Sequence, residues 1–269
     1  MFVHYRSQGF ILKKEDKGED DQLFTVFTKD FGKVEILGKA IRKVSSKLKS
    51  GAEIFYLSEI EFIQGKAYKT LTDAIPIEKF GNLRKKLERL KIAYKISTIL
   101  DKLIRGQEPD EKIWQLLIKT FERLNTLETK FLRSKNEGKE ENKVLFAISN
   151  WNLEILFYYF LWNFFSILGY QPELHRCVFC RKKIMPEKIY FSPRDGGIIC
   201  GNCSTKLRTK KEIKPETVKI LRVILERKWQ ILSKLKIKLE YIKSLELISK
   251  SYLSFIWGEK KGEENYFSS

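Results

Sequence analysis

The four cysteines of this chain fall into two close pairs, and their spacing constrains the fold more than any other feature. Cys177 and Cys180 form one Cys-x-x-Cys pair, and Cys200 and Cys203 form the second. Two such pairs, separated by about 20 residues, can each direct two thiolates at one tetrahedral Zn²⁺. All four coordination positions are then filled by protein, which is typical of a structural site. We therefore predict one structural zinc ion, although the spacing alone also permits two disulfides or a redox or iron–sulfur site.

Net charge narrows the class of partner. The chain has 269 residues, with 52 Lys and Arg against 34 Asp and Glu, which gives a formal net charge of +18. Such a surplus attracts polyanions, so nucleic acid is the first candidate and an anionic membrane surface is the second. The N-terminal segment lacks the pattern of a signal peptide, a charged stretch followed by an apolar one. We therefore expect a cytoplasmic protein.

The first 76 residues alternate short β-rich runs with turn signals. Gly and Asp at 17–20, at 30–32 and, for Gly, at 64–66 favour tight turns because they tolerate positive φ. Five strands in about 70 residues, without a long helix, are typical of a small barrel such as the OB-fold. The predicted strands cover 9–14, 23–28, 33–38, 53–63 and 68–75.

From residue 80 onward, apolar residues recur at three- and four-residue steps, which predicts helices. The most apolar segment, 148–168, contains one charged residue, Glu154, and is just long enough to span a bilayer. Asn150, Asn152 and Asn163 interrupt it, and aromatic residues fill its middle rather than its ends. We therefore favour a buried helix at the centre of a helical domain over a membrane span.

Together these patterns predict an α+β protein. An OB-fold domain with a five-stranded barrel covers 1–78, and an all-α domain covers 79–269. A four-cysteine zinc module at 175–206 is inserted in the helical domain, where Pro and Gly between the cysteine pairs predict a turn, one short strand and a second turn.

Two clusters of basic residues are candidate nucleic-acid contacts. The first follows the third predicted strand, where oligonucleotide-binding barrels place basic and aromatic groups. The second directly follows the last cysteine. The first cluster contains Lys39, Arg42, Lys43, Lys47 and Lys49, and the second contains Lys206, Arg208, Lys210, Lys211 and Lys214. Either cluster can also be a solvated surface, and the neighbouring phenylalanines 24, 27, 31 and 55 can either stack on bases or fill the barrel core.

Catalytic motifs are largely missing. The sequence has no Gly-rich phosphate loop, no Gly-x-Ser-x-Gly elbow and only two histidines, His4 and His175. Asp20 and Asp21, adjacent in a predicted turn, are weak evidence for a magnesium-dependent nuclease. We therefore expect a protein that is not an enzyme. A zinc-ribbon protein that binds RNA or associates with the ribosome fits the same charge pattern and is the alternative.

Two blocks of sequence resemble the bacterial RecO recombination mediator family. The first combines GFILK at 9–13, GEDDQLFTVFT at 18–28, FGK at 31–33 and GKAIR at 38–42. The second combines LGYQPELHRCVFC at 168–180 with FSPRDGGIIC at 191–200. The resemblance runs in order from residue 9 to residue 203 and is looser beyond.

This resemblance implies an N-terminal OB-fold, a helical domain and a zinc module, with a function in DNA repair that is not enzymatic. A protein of this kind binds single- and double-stranded DNA, anneals complementary strands and, with RecR, assists RecA in replacing single-strand-binding protein (SSB). The resemblance implies SSB as a candidate partner through its C-terminal tail, and a nucleoid-associated location in the bacterial cytoplasm. The DNA contacts that it implies are Lys33, Lys39, Arg42, Lys43 and Lys47.

Overall fold

The protein, as a computed structural model, divides into two compact units, Met1–Thr126 and Leu127–Ser269. The structure describes residues 3–127, 139–185, 188–206 and 211–258, without the side chains of 139–151 and 206. The first unit contains β1 (His4–Lys17), β2 (Asp21–Thr28), β3 (Gly32–Gly38), β4 (Leu57–Ile63), β5 (Lys69–Glu78), α1 (Gly81–Arg84), α2 (Leu87–Leu103) and α3 (Glu111–Thr126). The second contains α4 (Lys139–Ile167), β6 (Ile189–Ser192), β7 (Gly197–Cys200), β8 (Lys211–Ile213), α5 (Pro215–Leu225), α6 (Trp229–Leu232) and α7 (Leu239–Trp257).

The five N-terminal strands close into a barrel in the order β1-β2-β3-β5-β4, with β4 pairing back onto β1. All pairs are antiparallel except β3 with β5. The predicted five-stranded OB-type barrel is therefore confirmed. β4 begins at Leu57 rather than near residue 53 because Phe55 takes a left-handed conformation (φ 62°) that turns the chain just before the strand.

Strand β1 is buried on both faces over three consecutive residues. Phe10, Ile11 and Leu12 are each at most 2% exposed, and the pairing with β2 shifts register between Ile11 and Lys13. Ile11 belongs to the core inside the barrel. Phe10 instead contacts Phe121 of α3, with ring centroids 4.4 Å apart. The helices that follow the barrel therefore cover an apolar outer face of it.

The barrel interior is filled by aliphatic and aromatic side chains from all five strands and from the β3–β4 connection. On β2, β3 and β4 its members are two residues apart, as the two-residue period of a strand requires. The buried core consists of Ile11, Phe24, Val26, Val34, Ile36, Ile41, Ala52, Ile60, Phe62, Leu71 and Ala74.

Helix α4 is the centre of the second unit. Its side chains from Leu153 to Phe165 are almost all buried, and Trp162 stacks on Tyr252 of α7 with ring centroids 5.1 Å apart. The Trp162 indole donates a hydrogen bond to Ser249 Oγ at 2.9 Å. The prediction of a buried helix is therefore confirmed. Among the described residues, none of the helices is both long and apolar enough to cross a membrane.

The cysteine-containing segment contains more strand than its sequence indicates. One short strand is predicted between the cysteine pairs, but the structure has two, β6 and β7, which pair antiparallel. A third strand, β8, follows the last cysteine and pairs with the other edge of β6. Phe191 of β6 contacts Trp162 and Tyr252, so this small sheet packs on the helical core of its own unit.

The last barrel strand ends at Glu78, the same residue at which the predicted OB-fold domain ends. Helices α1 to α3 nevertheless share one compact unit with the barrel. Whether 1–78 and 79–269 fold as separate domains, with a module at 175–206, stays a prediction.

Replacing Phe121 by alanine should destabilise the first unit by about 3–5 kcal/mol, the usual cost of a large cavity in a core. Phe121 is fully buried and contacts Phe10, Phe55 and Phe80. Urea unfolding measures the change, and hydrogen exchange of first-unit peptides locates it. Leu87→Ala, at a side chain that is 64% exposed on α2, is the control and should cost about 0.5 kcal/mol or less. Equal losses in the two variants would contradict the packing of α3 on the barrel.

Candidate nucleic-acid interface and metal centre

Residues 39–49 follow β3 and form the first part of its connection to β4, across one end of the barrel. We call this segment the basic loop. Ile41 is 1% exposed and belongs to the barrel core, and Leu48 packs against that core. With these two apolar side chains held inward, the cationic side chains between and beside them remain exposed to solvent. The exposed cations of the basic loop are Lys39, Arg42, Lys43, Lys47 and Lys49.

The start of the basic loop is fixed by the turn between β1 and β2. We call the carboxylates in this turn and at the adjoining strand ends, Asp16, Glu19, Asp20 and Asp21, the acidic turn. Asp21 Oδ1 accepts a hydrogen bond from the Ala40 backbone N–H at 2.7 Å, and the Asp20 carbonyl accepts one from the Arg42 N–H at 3.0 Å. Ala40 has φ 50°, a left-handed conformation that disfavours a residue with a Cβ and needs such support.

Two cations of the basic loop are paired with the acidic turn. Arg42 Nη1 lies 3.3 Å from Asp16 Oδ2, and Lys43 Nζ lies 3.3 Å from Asp20 Oδ2. All four side chains remain 42–56% exposed, so these pairs are solvated and each contributes little stability. The loop therefore presents two kinds of exposed cation: Arg42 and Lys43, which are paired with the acidic turn, and Lys39, Lys47 and Lys49, which are not paired with it.

Lys33 is placed differently from the other candidate contacts. Its ammonium group donates to the backbone carbonyl of Asp101 and lies 3.1 Å from Asp101 Oδ1, at the C-terminal end of α2. The Lys33 side chain is only 20% exposed. It therefore joins the barrel to α2 and is less accessible than the cations of the basic loop.

The candidate stacking aromatics lie mostly in the core. Phe24 is 1% exposed in the barrel interior, and Phe27 is 1% exposed and near Trp114 of α3. Phe55 is fully buried against Tyr94 and Phe121. Phe31 is half-buried, edge-on to Tyr5 and Phe62. None of these four rings has a fully exposed face on which a base could stack. Packing in the core therefore describes them better than base stacking does.

The second basic cluster is only partly visible. Arg208 and Lys210 lie outside the described residues, as does the side chain of Lys206. Lys211 is exposed at the start of β8. Its role, like that of the rest of the cluster, stays a prediction.

The four cysteine sulfurs converge on one point. Their Sγ atoms all lie within 4.8 Å of one another, and Cys180 and Cys200 are 3.8 Å apart. Four sulfurs around Zn²⁺, with Zn–S bonds of about 2.3 Å, lie about 3.8 Å apart. All four thiols are free, so the disulfide alternative does not fit. Among the described residues, these cysteines are the one group with metal-site geometry, and the acidic turn is not such a group.

The backbone around Cys177 favours its thiolate, whereas burial and hydrogen bonds with the other three sulfurs raise the pKa of Cys203 to about 12. Burial opposes ionisation of the Cys177 thiol, but backbone N–H groups of three nearby residues donate to its sulfur and lower its pKa to about 6. The donors are those of Cys180, Cys200 and Phe179. Four converging cysteine sulfurs, with ionisation favoured at Cys177, are a donor set that fits a soft divalent cation.

Pairing within the module holds the two cysteine pairs together. The Val178 N–H donates to the Ile198 carbonyl at 3.0 Å, and the Ile198 N–H donates to the Glu173 carbonyl at 2.9 Å. Gly197 lies at this crossing, where a Cβ would come within 2.4 Å of the Glu173 carbonyl oxygen. The first pair is thus aligned with the strand that carries Cys200, independently of any metal.

The sequence interpretation missed the inward anchors of the basic loop and the role of the acidic turn. A register argument could have found the second. Gln22 of β2 pairs with Gly38 of β3, so the turn before β2 necessarily lies beside the start of the loop that follows β3. Nothing in the local sequence indicates that Ile41 joins the barrel core and that Leu48 packs against it.

Comparison with known proteins agrees with this architecture. Residues 1–80 match the model of the N-terminal part of recombination protein O, and residues 142–262 match the model of its C-terminal part. A protein of Dehalococcoides mccartyi strain BAV1, named DNA repair protein RecO, is 29% identical over 252 residues, which are 94% of this chain and 90% of that protein. Proteins of the same name from Roseiflexus sp. strain RS-1 and Bacillus pumilus strain SAFR-032 are 26% and 27% identical, over 94% and 81% of this chain and 81% and 75% of their own lengths.

Both parts of the family model match in the expected order, on a five-stranded barrel and a helical unit that contains the cysteine cluster. The chain therefore belongs to the RecO family of DNA repair and recombination proteins.

Proposed function

We propose that this protein binds single- and double-stranded DNA, anneals complementary strands and, with RecR, assists RecA loading onto SSB-coated DNA. The observation that carries the proposal is the basic loop. Its apolar anchors Ile41 and Leu48 hold it against the barrel, and its cations face solvent. Basic groups in such a position neutralise phosphates and release counterions, which supplies affinity without reading sequence.

Annealing follows from the same electrostatics. Two complementary strands repel each other through their phosphates, and a cationic surface that contacts both strands reduces this repulsion. The formal charge of +18 extends the positive field beyond any single loop. No bond is made or broken, so we propose that the protein acts as a mediator and not as an enzyme.

The proposed DNA contacts differ in how accessible they are. Lys39 and Lys47 are exposed and are the first contacts we propose. Arg42 and Lys43 must exchange a carboxylate for a phosphate. Lys33 is held by Asp101 and contributes to the local field more than to direct contact. Lys206, Arg208, Lys210 and Lys211 form a proposed second contact in the other unit.

We propose that the cysteine cluster binds one Zn²⁺ and that the ion is structural. Cys177, Cys180, Cys200 and Cys203 supply four sulfurs and leave no position for water or substrate. The ion would join the first cysteine pair to the end of β7 and the turn after it, so its contribution is to stability rather than to chemistry at DNA.

The partners RecR, RecA and SSB, with SSB engaged through its C-terminal tail, are proposed from family membership. So is a nucleoid-associated location. Family membership supports a role in DNA repair, and each named partner needs its own binding measurement.

Replacing Lys39 and Lys47 by glutamine should weaken binding to a dT oligonucleotide roughly tenfold or more near 0.1 M salt, because two phosphate contacts are lost. The slope of log affinity against log salt should fall by about 1.4, since each single-strand contact contributes about 0.7. Fluorescence anisotropy across a salt series measures both. Lys112→Gln with Lys119→Gln removes the same charge from exposed positions on α3 and should change both quantities less. Equal effects in the two pairs would contradict binding at the basic loop.

Annealing of complementary strands coated with the cognate SSB should accelerate about fivefold or more when this protein is added. A fluorophore–quencher pair on the two strands follows the rate, and the Lys39→Gln, Lys47→Gln variant should lose most of the acceleration. Competition between DNA and RNA oligonucleotides tests the alternative function. A strong preference for RNA would argue for an RNA-binding protein. No acceleration at all would contradict the proposed annealing.

Metal analysis of the freshly purified, reduced protein should find one zinc per chain. Replacing Cys200 and Cys203 by serine should abolish binding and lower the melting temperature of the second unit by roughly 5–10 °C, because metal-binding energy contributes to folding. Met185→Leu, an exposed change within the same module, is the control and should retain the metal. Protein that contains no metal and melts at the same temperature as the serine variant would exclude a structural ion.

A further inference from the structure

The acidic turn makes two opposite kinds of contact with the basic loop. Asp21 accepts a hydrogen bond from the Ala40 N–H, so it positions the backbone of the loop without pairing with one of its cations. Asp16 and Asp20 instead lie 3.3 Å from the charged groups of Arg42 and Lys43. The three carboxylates are close in sequence and equal in charge, but their contacts assign them different effects on binding.

Asp16 is held in place from a second side. Gln22 Nε2 donates to Asp16 Oδ1 at 2.8 Å while Asp16 Oδ2 faces Arg42. Gln22 itself lies in β2, paired with Gly38 at the end of β3. The carboxylate that faces Arg42 is therefore positioned by the barrel strands and does not depend on a chance encounter of two long side chains.

We propose that the acidic turn is a built-in competitor for phosphate: Asp16 and Asp20 occupy Arg42 and Lys43 until a polyanion displaces them, and Asp21 positions the loop for that exchange. This inference rests on the proposed DNA contact at the basic loop. A ligand with several linked phosphates can first engage Lys39 and Lys47 and then replace both carboxylates. A single phosphate lacks this second attachment, so the device favours nucleic-acid strands over small anions.

The proposal predicts effects that net charge alone does not. A general field would make the loss of any one carboxylate tighten DNA binding by a similar factor. Competition through Arg42 predicts that Asp16→Asn tightens binding only while Arg42 is present. Positioning by Asp21 predicts that Asp21→Ala weakens binding although it removes a negative charge.

The experiment is a double-mutant cycle on the full chain with a dT oligonucleotide, read by fluorescence anisotropy at fixed salt. Asp16→Asn should tighten binding about two- to fivefold, the range of an exposed ion pair. In the Arg42→Gln background the same change should have no more than about a 1.3-fold effect. Asp20→Asn with Lys43→Gln forms the second, matched cycle.

Asp21 is tested by two substitutions. Asp21→Ala removes the acceptor for the Ala40 N–H and should weaken binding about twofold or more. Asp21→Asn keeps a carbonyl acceptor and should bind more tightly than Asp21→Ala. Thermal melting and circular dichroism of both variants separate a displaced loop from a misfolded barrel, and the Asp16 and Asp20 cycles test competition even if Asp21→Ala fails to fold.

Glu108→Gln and Glu122→Gln, which alter exposed carboxylates outside the acidic turn, control for charge. If Asp16→Asn tightens binding equally with and without Arg42, or no more than these controls, competition is overturned. If Asp21→Ala and Asp21→Asn bind alike, positioning is overturned. Loss of binding in the Lys39→Gln, Lys47→Gln variant without coupling in either cycle removes this inference alone. Unchanged binding in that variant removes the proposed DNA contact as well.

Discussion

Closure of the barrel by β1 is the constraint on which the first unit depends. β1 pairs with β2 along one edge and with β4 along the other, so no strand edge of this sheet is left at that point. Ile11 fills the interior, and Phe10, its neighbour on the opposite face of the strand, contacts the rings of Phe80 and Phe121 outside. One strand thus contributes side chains both to the barrel interior and to the contact with the helical segment. Helices α1 to α3 therefore pack directly on the barrel.

The same closure determines where charge is displayed. Ile41 belongs to the barrel core and Leu48 packs against it, and this inward anchoring turns the rest of the basic loop outward. Pairing of β2 with β3 then brings the acidic turn beside the start of that loop. A positive surface and its own counter-charges are therefore fixed by strand register, which the apolar core specifies strongly because a one-residue slip would expose every inward side chain.

Local patterns in the sequence were sufficient for the parts of the fold that depend on periodicity and spacing. The five strands, the buried helix α4 and the convergence of the four cysteines were all predicted, since alternation, apolar composition and Cys-x-x-Cys spacing are local signals. Contacts between distant segments were not predicted. Nothing near Lys33 indicates a partner at Asp101, and the covering of Phe27 and Phe55 depends on α2 and α3, helices that come much later in the chain.

The cysteine module contacts the chain on both sides of residues 207–210, in the region of the second basic cluster. Before the cluster, Cys203 converges with the other three sulfurs, and within the cluster Lys211 pairs with Phe191 of β6. Phe191 in turn packs on Trp162 and Tyr252 in the core of the same unit. Cys203 and Lys211 are therefore held by the cysteine group and by the small sheet, and a bound metal would add stability at Cys203.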